Sequence, residues 1–365
     1  MSPDAPLVAH TRTHTTMADF LRSLGVGVPI LQAPMAGVQG AALAAAVDEA
    51  GGLGAIPAAT LSPTALANEL ATLVARGVSR VNVNFFCHVH EPAPPARIAT
   101  WCDALAPYYA EYGIERPTID ALAAAPTRAP FDDALADAVA PFRPAVVSFH
   151  FGLPSAALLA RVRAWGSRIV SSATTVDEAR WLEAQGVDAI VVQGIEAGGH
   201  RGHFLHDDLT HHQPTFTLLP QVLAAVRVPV IAAGGITDAA AVARALALGA
   251  TAVQVGTSYL RTDEATTSAV HRAALAGDAP VATELTTLFS GRAARGIVNR
   301  LMRDLGPRSP LAPPFPHASA ALAPLRAAAE ARGLGDFSPL WAGTNTRGSH
   351  TEPAAVLTRR LAGLV

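Results

Sequence analysis

From Val28 onward, short apolar runs alternate with longer alanine-rich stretches in which apolar positions recur at helical spacing. The short runs lack the polar alternation of a half-wet strand, so they read as parallel strands buried on both faces. The long stretches read as amphipathic helices. This pattern predicts strands at 30–32, 53–58, 80–86, 145–149, 168–173, 189–193, 228–233 and 252–256, and helices such as 41–50, 63–76, 155–165, 175–185, 218–226 and 239–248. Several of these helices end in glycine, which accepts the left-handed backbone of a helix terminus. Repeated strand–helix units pair in parallel through right-handed crossovers, and eight of them suffice for closure. The predicted fold class is therefore α/β: a (β/α)8 TIM barrel.

Two segments lie outside that repeat. Residues 87–143 are too long for an ordinary crossover and are predicted as a helical insertion after the third strand. Its aromatics Trp101, Tyr108, Tyr109 and Tyr112 fall on one amphipathic stretch and are expected to pack against the barrel, with lining of a cavity as the alternative. Beyond the eighth strand come a helical stretch at 265–276, an arginine-rich run at 290–299, a proline-rich loop at 307–316 and a closing helix at 319–332. Residues 286–365 are predicted as a C-terminal helical extension of one domain spanning 1–365, since a decorated barrel uses up this length.

Composition narrows the partners. The chain has 365 residues, 50% of them hydrophobic and 15% charged, enough apolar material for a large core. A net charge of −2 supplies no field for nucleic acid or an anionic membrane. No apolar stretch reaches membrane-spanning length, and the amino terminus lacks the apolar core of a signal peptide. Cys87 and Cys102 stand in no metal-ligand or redox spacing, which fits a reducing, cytoplasmic setting; whether they pair, and whether the chain forms a homodimer, stays open. Every basic residue is arginine, which excludes a lysine base or Schiff base.

Candidate chemistry collects at predicted strand ends, where barrels build their active sites. After the sixth strand, Gln193, Glu196, Gly198, Gly199 and His200 follow in VVQGIEAGGHRG, where the paired glycines let backbone N–H groups approach a flat ring or an anion. Gly234 and Gly235 close the seventh strand, and Gly256 and Thr257 the eighth. Neighbouring loops of this kind form the common phosphate anchor of barrels, for a flavin mononucleotide or a sugar phosphate. Pro34, Met35, Ala36 and Gly37 after the first strand suit the face of a ring, or form a plain tight turn. Asn84 offers an amide at the third strand, with turn capping as its alternative. His150 after the fourth strand is expected to face the same mouth as His200; a protonated imidazole at either position would stabilise an anionic substrate. Loop histidines His203, His206, His211 and His212 have no metal-ligand spacing and are expected mostly at the surface; no metal site is expected. Nucleophile-elbow and phosphate-loop motifs are absent.

Taken together, QAPMAG, the asparagine-bearing third strand, SFHFG, VVQGIEAGGHRG, VIAAGGI, AVQVGTSYL, SGRAARG and WAG resemble the nitronate monooxygenase family of FMN-dependent barrels, from about Val28 to Asn345. The resemblance implies oxidative denitrification of alkyl nitronates such as propionate 3-nitronate by O2, giving a carbonyl compound and nitrite. It implies flavin contacts at Pro34, Met35, Ala36, Asn84, Gln193, Gly198, Gly199, Gly234, Gly235, Gln254, Val255, Gly256 and Thr257, with His150 and His200 as active-site histidines. Relatives often carry a lysine near the site; here Arg292 or Arg295 is expected in its place. The same barrel serves FMN-dependent NAD(P)H reductases of enoyl thioesters or quinones, which is the rival reading, and a non-catalytic flavin-binding protein is a third.

Overall fold

Eight parallel strands pair side by side in the computed structural model, which describes residues 17–89, 92–123, 125, 128–277 and 281–365. They are β1 (Ile30–Gln32), β2 (Gly54–Pro57), β3 (Val81–Phe86), β4 (Val146–His150), β5 (Arg168–Ala173), β6 (Ala189–Gln193), β8 (Val230–Ala233) and β9 (Ala252–Val255). Between β6 and β8 in the chain lies β7 (Gly199–His200), which belongs to a second sheet with β10 (Thr283–Thr286) and β11 (Ala294–Ile297). The large sheet runs β1-β9-β8-β6-β5-β4-β3-β2, and a parallel bridge between Leu31 and Leu53 joins its two edges. The result is the expected TIM barrel.

Both faces of these strands are buried, which is why their sequences read as unbroken apolar runs. Leu31, Leu53, Val146, Val170, Val191 and Ile231 point inward and pack with Phe20 from the helix Met17–Ser23. Their neighbours Ile30, Val147, Ile169, Ile190, Val192 and Val230 point outward onto the helices. The helices start where local chemistry starts them. Side chains of Ser62, Asp132, Ser155, Thr175 and Asp238 each accept a hydrogen bond from a backbone N–H in the first turn, satisfying a donor the helix leaves orphaned.

The insertion contains the helices Pro95–Tyr112, Ile119–Ala123 and Asp133–Val139. Its aromatics correct one expectation. Trp101, Tyr108, Tyr109 and Tyr112 are buried in a second apolar cluster with Leu301, Leu322, Leu325 and Phe337, so they face the C-terminal extension rather than the barrel wall or a cavity. Trp101 Nε1 donates to Ala318 O at 3.1 Å and Tyr109 OH to Ala321 O at 2.6 Å, both on the helix Ala318–Glu330. The extension also departs from the helical expectation: part of the arginine-rich run is strand β11, and the stretch after the barrel is helical only at Ala269–Ala274. Cys87 and Cys102 are both free. No helix among the described residues is long and apolar enough to cross a membrane.

Candidate active site

At the carboxyl ends of the barrel strands lies a cavity of about 570 Å³. Pairing fixes what faces it: Gln193 stands beside Ala233, and Ala233 beside Gln254, so the loops after β6, β8 and β9 leave the barrel at one level. Pro34, Met35, Ala36, Asn84, His150, Gln193, Gly198, Gly199, His200, Gly234, Gly235, Gln254, Gly256 and Thr257 all line the cavity. Val255 does not. One residue along from Gln254 on a pleated strand, its side chain turns outward into the apolar core, while its carbonyl accepts from Ala33 N at 2.8 Å. Gly235 has φ +71°, a backbone that side-chain-bearing residues avoid, which keeps the β8 loop tight against the neighbouring loop.

His200 is held in place by pairing that its sequence does not announce. Rather than lying in a free loop it forms β7, paired antiparallel with Ala294 of β11. Its Nε2 lies 2.9 Å from Ser290 Oγ, and its ring is surrounded by Phe86, Phe151, Phe315 and Trp341 at centroid distances of 5.5 to 6.0 Å. Gln193 secures the approach to it: Nε2 donates to His200 O at 2.9 Å and Oε1 accepts from Gly202 N at 2.9 Å.

His150 meets the same backbone. Its Nε2 lies 3.1 Å from His200 O, and since a carbonyl only accepts, that nitrogen carries the proton and Nδ1, 3.1 Å from Ser172 Oγ, accepts. A Cβ on Gly202 would come within 2.7 Å of the His150 ring, so only glycine permits this approach. Burial pushes His150 down to about 4 and His200 well below the usual histidine range, with nearby arginines adding to both shifts. Both shifts favour the neutral imidazole over the protonated form that would have stabilised an anionic substrate.

Below the loop runs a buried polar clasp. Arg201, fully buried, donates from Nη1 to Gly194 O at 2.6 Å, from Nη2 to Gln193 O at 2.9 Å and from Nε to His212 Nδ1 at 3.2 Å. His212 Nε2 lies 3.3 Å from Thr174 Oγ1, whose hydroxyl donates to the buried Glu178 at 2.7 Å. Glu178 also accepts from Phe204 N at 2.6 Å. His203 and His212 are therefore buried, against expectation, while His206 and His211 are exposed. Among the described residues no group of three metal-ligating side chains is placed to hold an ion.

The expected lysine substitutes are not in the cavity wall. Arg292 lies over the Phe151 ring at 4.2 Å and donates to His203 O, and Arg295 donates to Ile195 O at 2.9 Å and Thr283 O at 3.1 Å. The arginines that line the cavity are Arg128, from the insertion, and Arg326, from the helix Ala318–Glu330. Neither carries a motif, and their position depends on how the insertion and extension fold back over the barrel.

A family model described as nitronate monooxygenase matches residues 19–362. The chain belongs to the nitronate monooxygenase family. It is 42% identical to the nitronate monooxygenase of Pseudomonas aeruginosa over 346 residues, covering 94% of this chain and 97% of that protein. A second nitronate monooxygenase, from Paraburkholderia phytofirmans, is 42% identical over 343 residues, covering 94% and 93%. Among solved structures, a nitroalkane oxidase from Streptomyces ansochromogenes superposes with TM-score 0.83 at 37% identity, covering 94% of this chain and 97% of that one. FabK from Thermotoga maritima, with TM-score 0.66 and 23% identity, shares the fold.

Membership of the nitronate monooxygenase family implies a flavin, and the cavity fits one. No Asp or Glu is among its described lining residues to repel a phosphate, and two glycine loops, at Gly234-Gly235 and Gly256-Thr257, flank each other at adjacent strand ends. Met35 lines the same space and offers a soft apolar wall for a planar ring, while Gly198, also lining it, packs closely on the backbone of Ala342 and Gly343.

Proposed function

We propose that this protein oxidises alkyl nitronates, with propionate 3-nitronate as a representative, using O2 and bound FMN, and releases a carbonyl compound and nitrite. The observation that carries this reading is the His150–His200 pair, joined through the His200 carbonyl, in a cavity whose described lining residues include no carboxylate. A nitronate is already deprotonated at carbon, so its oxidation needs no strong base, and this site offers none. It offers hydrogen-bond donors instead.

When bound, FMN would accept electrons from the substrate carbon and pass them on to O2. Its phosphate would be held by the loops at Gly234-Gly235 and Gly256-Thr257, and its ring by Pro34, Met35, Ala36, Asn84, Gln193, Gly198, Gly199 and Gln254. Of the Asn84 amide, Nδ2 is bonded to Ser148 Oγ at 2.9 Å, which fixes its orientation in the cavity wall. His200 would hold the nitro oxygens. Ser290 Oγ lies 2.9 Å from His200 Nε2 and 3.2 Å from Arg292 O, so its proton can turn to either. Turned to Nε2, it leaves the His200 proton on Nδ1 as the donor to substrate. His150, bonded to the His200 carbonyl, would steady that backbone during turnover. Four aromatic rings around His200 would lower the local polarity once the cavity is filled, strengthening each of these bonds.

Anaerobic mixing of the purified holoenzyme with a nitronate, and separately with NADH and NADPH, tests the reading. Rapid bleaching of the flavin by nitronate and slow bleaching by nicotinamide is expected. The reverse order would assign the protein to the reductases.

A further inference from the structure

The cavity's positive charge is unevenly compensated. Arg326 Nε is paired with Glu330 Oε1 at 2.7 Å, and that same oxygen accepts from Ser338 Oγ at 2.6 Å. Arg128 has no such partner: among the described residues its polar contact is Nη1 to Ser319 Oγ at 3.5 Å, the outer limit of a hydrogen bond, and no carboxylate lies within ion-pair distance. Removal from solvent destabilises this guanidinium's charge. A half-buried cation with five donors and, among the described residues, one marginal acceptor suits an anion in the cavity, since the described wall around it supplies no acid.

Its position says which anion. The Arg128 guanidinium stands 5.9 Å from the centre of the Phe315 ring, and Phe315 stands 5.6 Å from the His200 ring. Arg128 is also the charged neighbour that most opposes protonation of His200. We propose that Arg128 is the specificity-determining residue for substrate charge: its guanidinium takes the negatively charged nitro oxygens of the nitronate beside His200, so that the enzyme selects the nitronate over its neutral nitroalkane acid. The insertion after β3 is then the element that reads the ionisation state of the substrate. A guanidinium suits this task, since its planar fork matches two oxygens on one atom. This inference rests on the functional reading above.

The test uses the holoenzyme and its Arg128→Met and Arg128→Lys variants. Inorganic nitrate, a planar anion that cannot be oxidised here, is titrated by calorimetry, with a neutral nitroalkane as the uncharged control. The nitronate is then followed by anaerobic flavin reduction. In Arg128→Met the dissociation constants for nitrate and nitronate should rise roughly tenfold or more, while nitroalkane affinity and flavin content change by less than about twofold. Arg128→Lys should recover part of the nitrate affinity, because charge returns without the fork. Nitrate binding equal in wild type and Arg128→Met overturns the proposal, and so does an equal loss for nitrate and neutral nitroalkane. If nitrate binding depends on Arg128 but nitronate fails to bleach the wild-type flavin, the anion site stands and the nitronate reading falls.

Discussion

In the proposed reaction His200 is the ring that meets the substrate, and its two nitrogens face different demands. Nε2 is tied to Ser290, and Gln193 and His150 grip the His200 carbonyl and, through Gln193, the N–H of Gly202, so the ring has little freedom to drift when the cavity fills. His200→Asn should keep its flavin, because the glycine loops that would hold phosphate lie on β8 and β9. Its anaerobic reduction by nitronate should slow on the order of 10²-fold, as expected when one donor to developing charge is lost. Stopped-flow absorbance against His150→Asn separates the two imidazoles: normal reduction in His200→Asn with loss in His150→Asn would transfer the role to His150. Both residues are visible in the sequence as polar positions just past apolar runs. Arg128 is not, because nothing in its local sequence distinguishes it from any surface arginine until chain distant in sequence covers it.

At the scale of elements, the loops line the candidate cavity and the strands set their height. Gly234-Gly235 follows β8 directly, and the left-handed backbone at Gly235 places the loop beside that of β9. Gly235→Asp should release most of the flavin, since the new carboxylate would stand where a phosphate is expected. Asp tolerates this backbone at a cost of about 1 kcal/mol, so the variant should fold. Flavin absorbance per mole of purified protein checks this, with Gly235→Ala as the control that brings strain without charge; equal loss in both would place the phosphate elsewhere. The β6 loop is different. Its glycines are evident in the sequence, but its support comes from β11 and from the Arg201–His212–Thr174–Glu178 clasp, whose members are scattered from Thr174 to His212.

Across the whole molecule, the insertion and the extension share one apolar cluster and together roof the barrel, with Arg128 and Arg326 reaching the cavity from either part. We expect the chain to unfold as one domain over 1–365, because neither decoration buries its apolar face alone. Buried histidines make that transition sensitive to acid. His150, His212 and His271 are pushed down to about 4 and His203 to about 3, in each case chiefly by burial. The unfolded chain takes up these protons near pH 6.5 while the folded chain refuses them until far lower pH. Their contribution therefore lowers stability as pH falls from about 6.5 toward 4, and is flat above about 7. Urea midpoints at pH 7.5 and 5 should show a clear drop, and replacing His212 with Gln should shrink it; a midpoint independent of pH would mean that these groups protonate freely in the folded state.

What the sequence by itself determined is the barrel and the parts of the site that adjoin its strands. Apolar runs buried on both faces, separated by helical spacing, admit few architectures, and a residue just past a strand end must stand at the barrel mouth. That is why His150, His200, Asn84 and the glycine pairs were legible, down to their convergence on one cavity. Val255 was misplaced for a local reason, as one step along a strand reverses the direction of the side chain. Tertiary structure alone decided the downward pKa shift of the buried histidines, the strand that holds His200, the burial of His203 and His212, and the placing of Arg128, rather than Arg292 or Arg295, in the cavity wall. Each depends on which distant segment excludes water from a given group, and solvent exclusion has no periodicity along a chain.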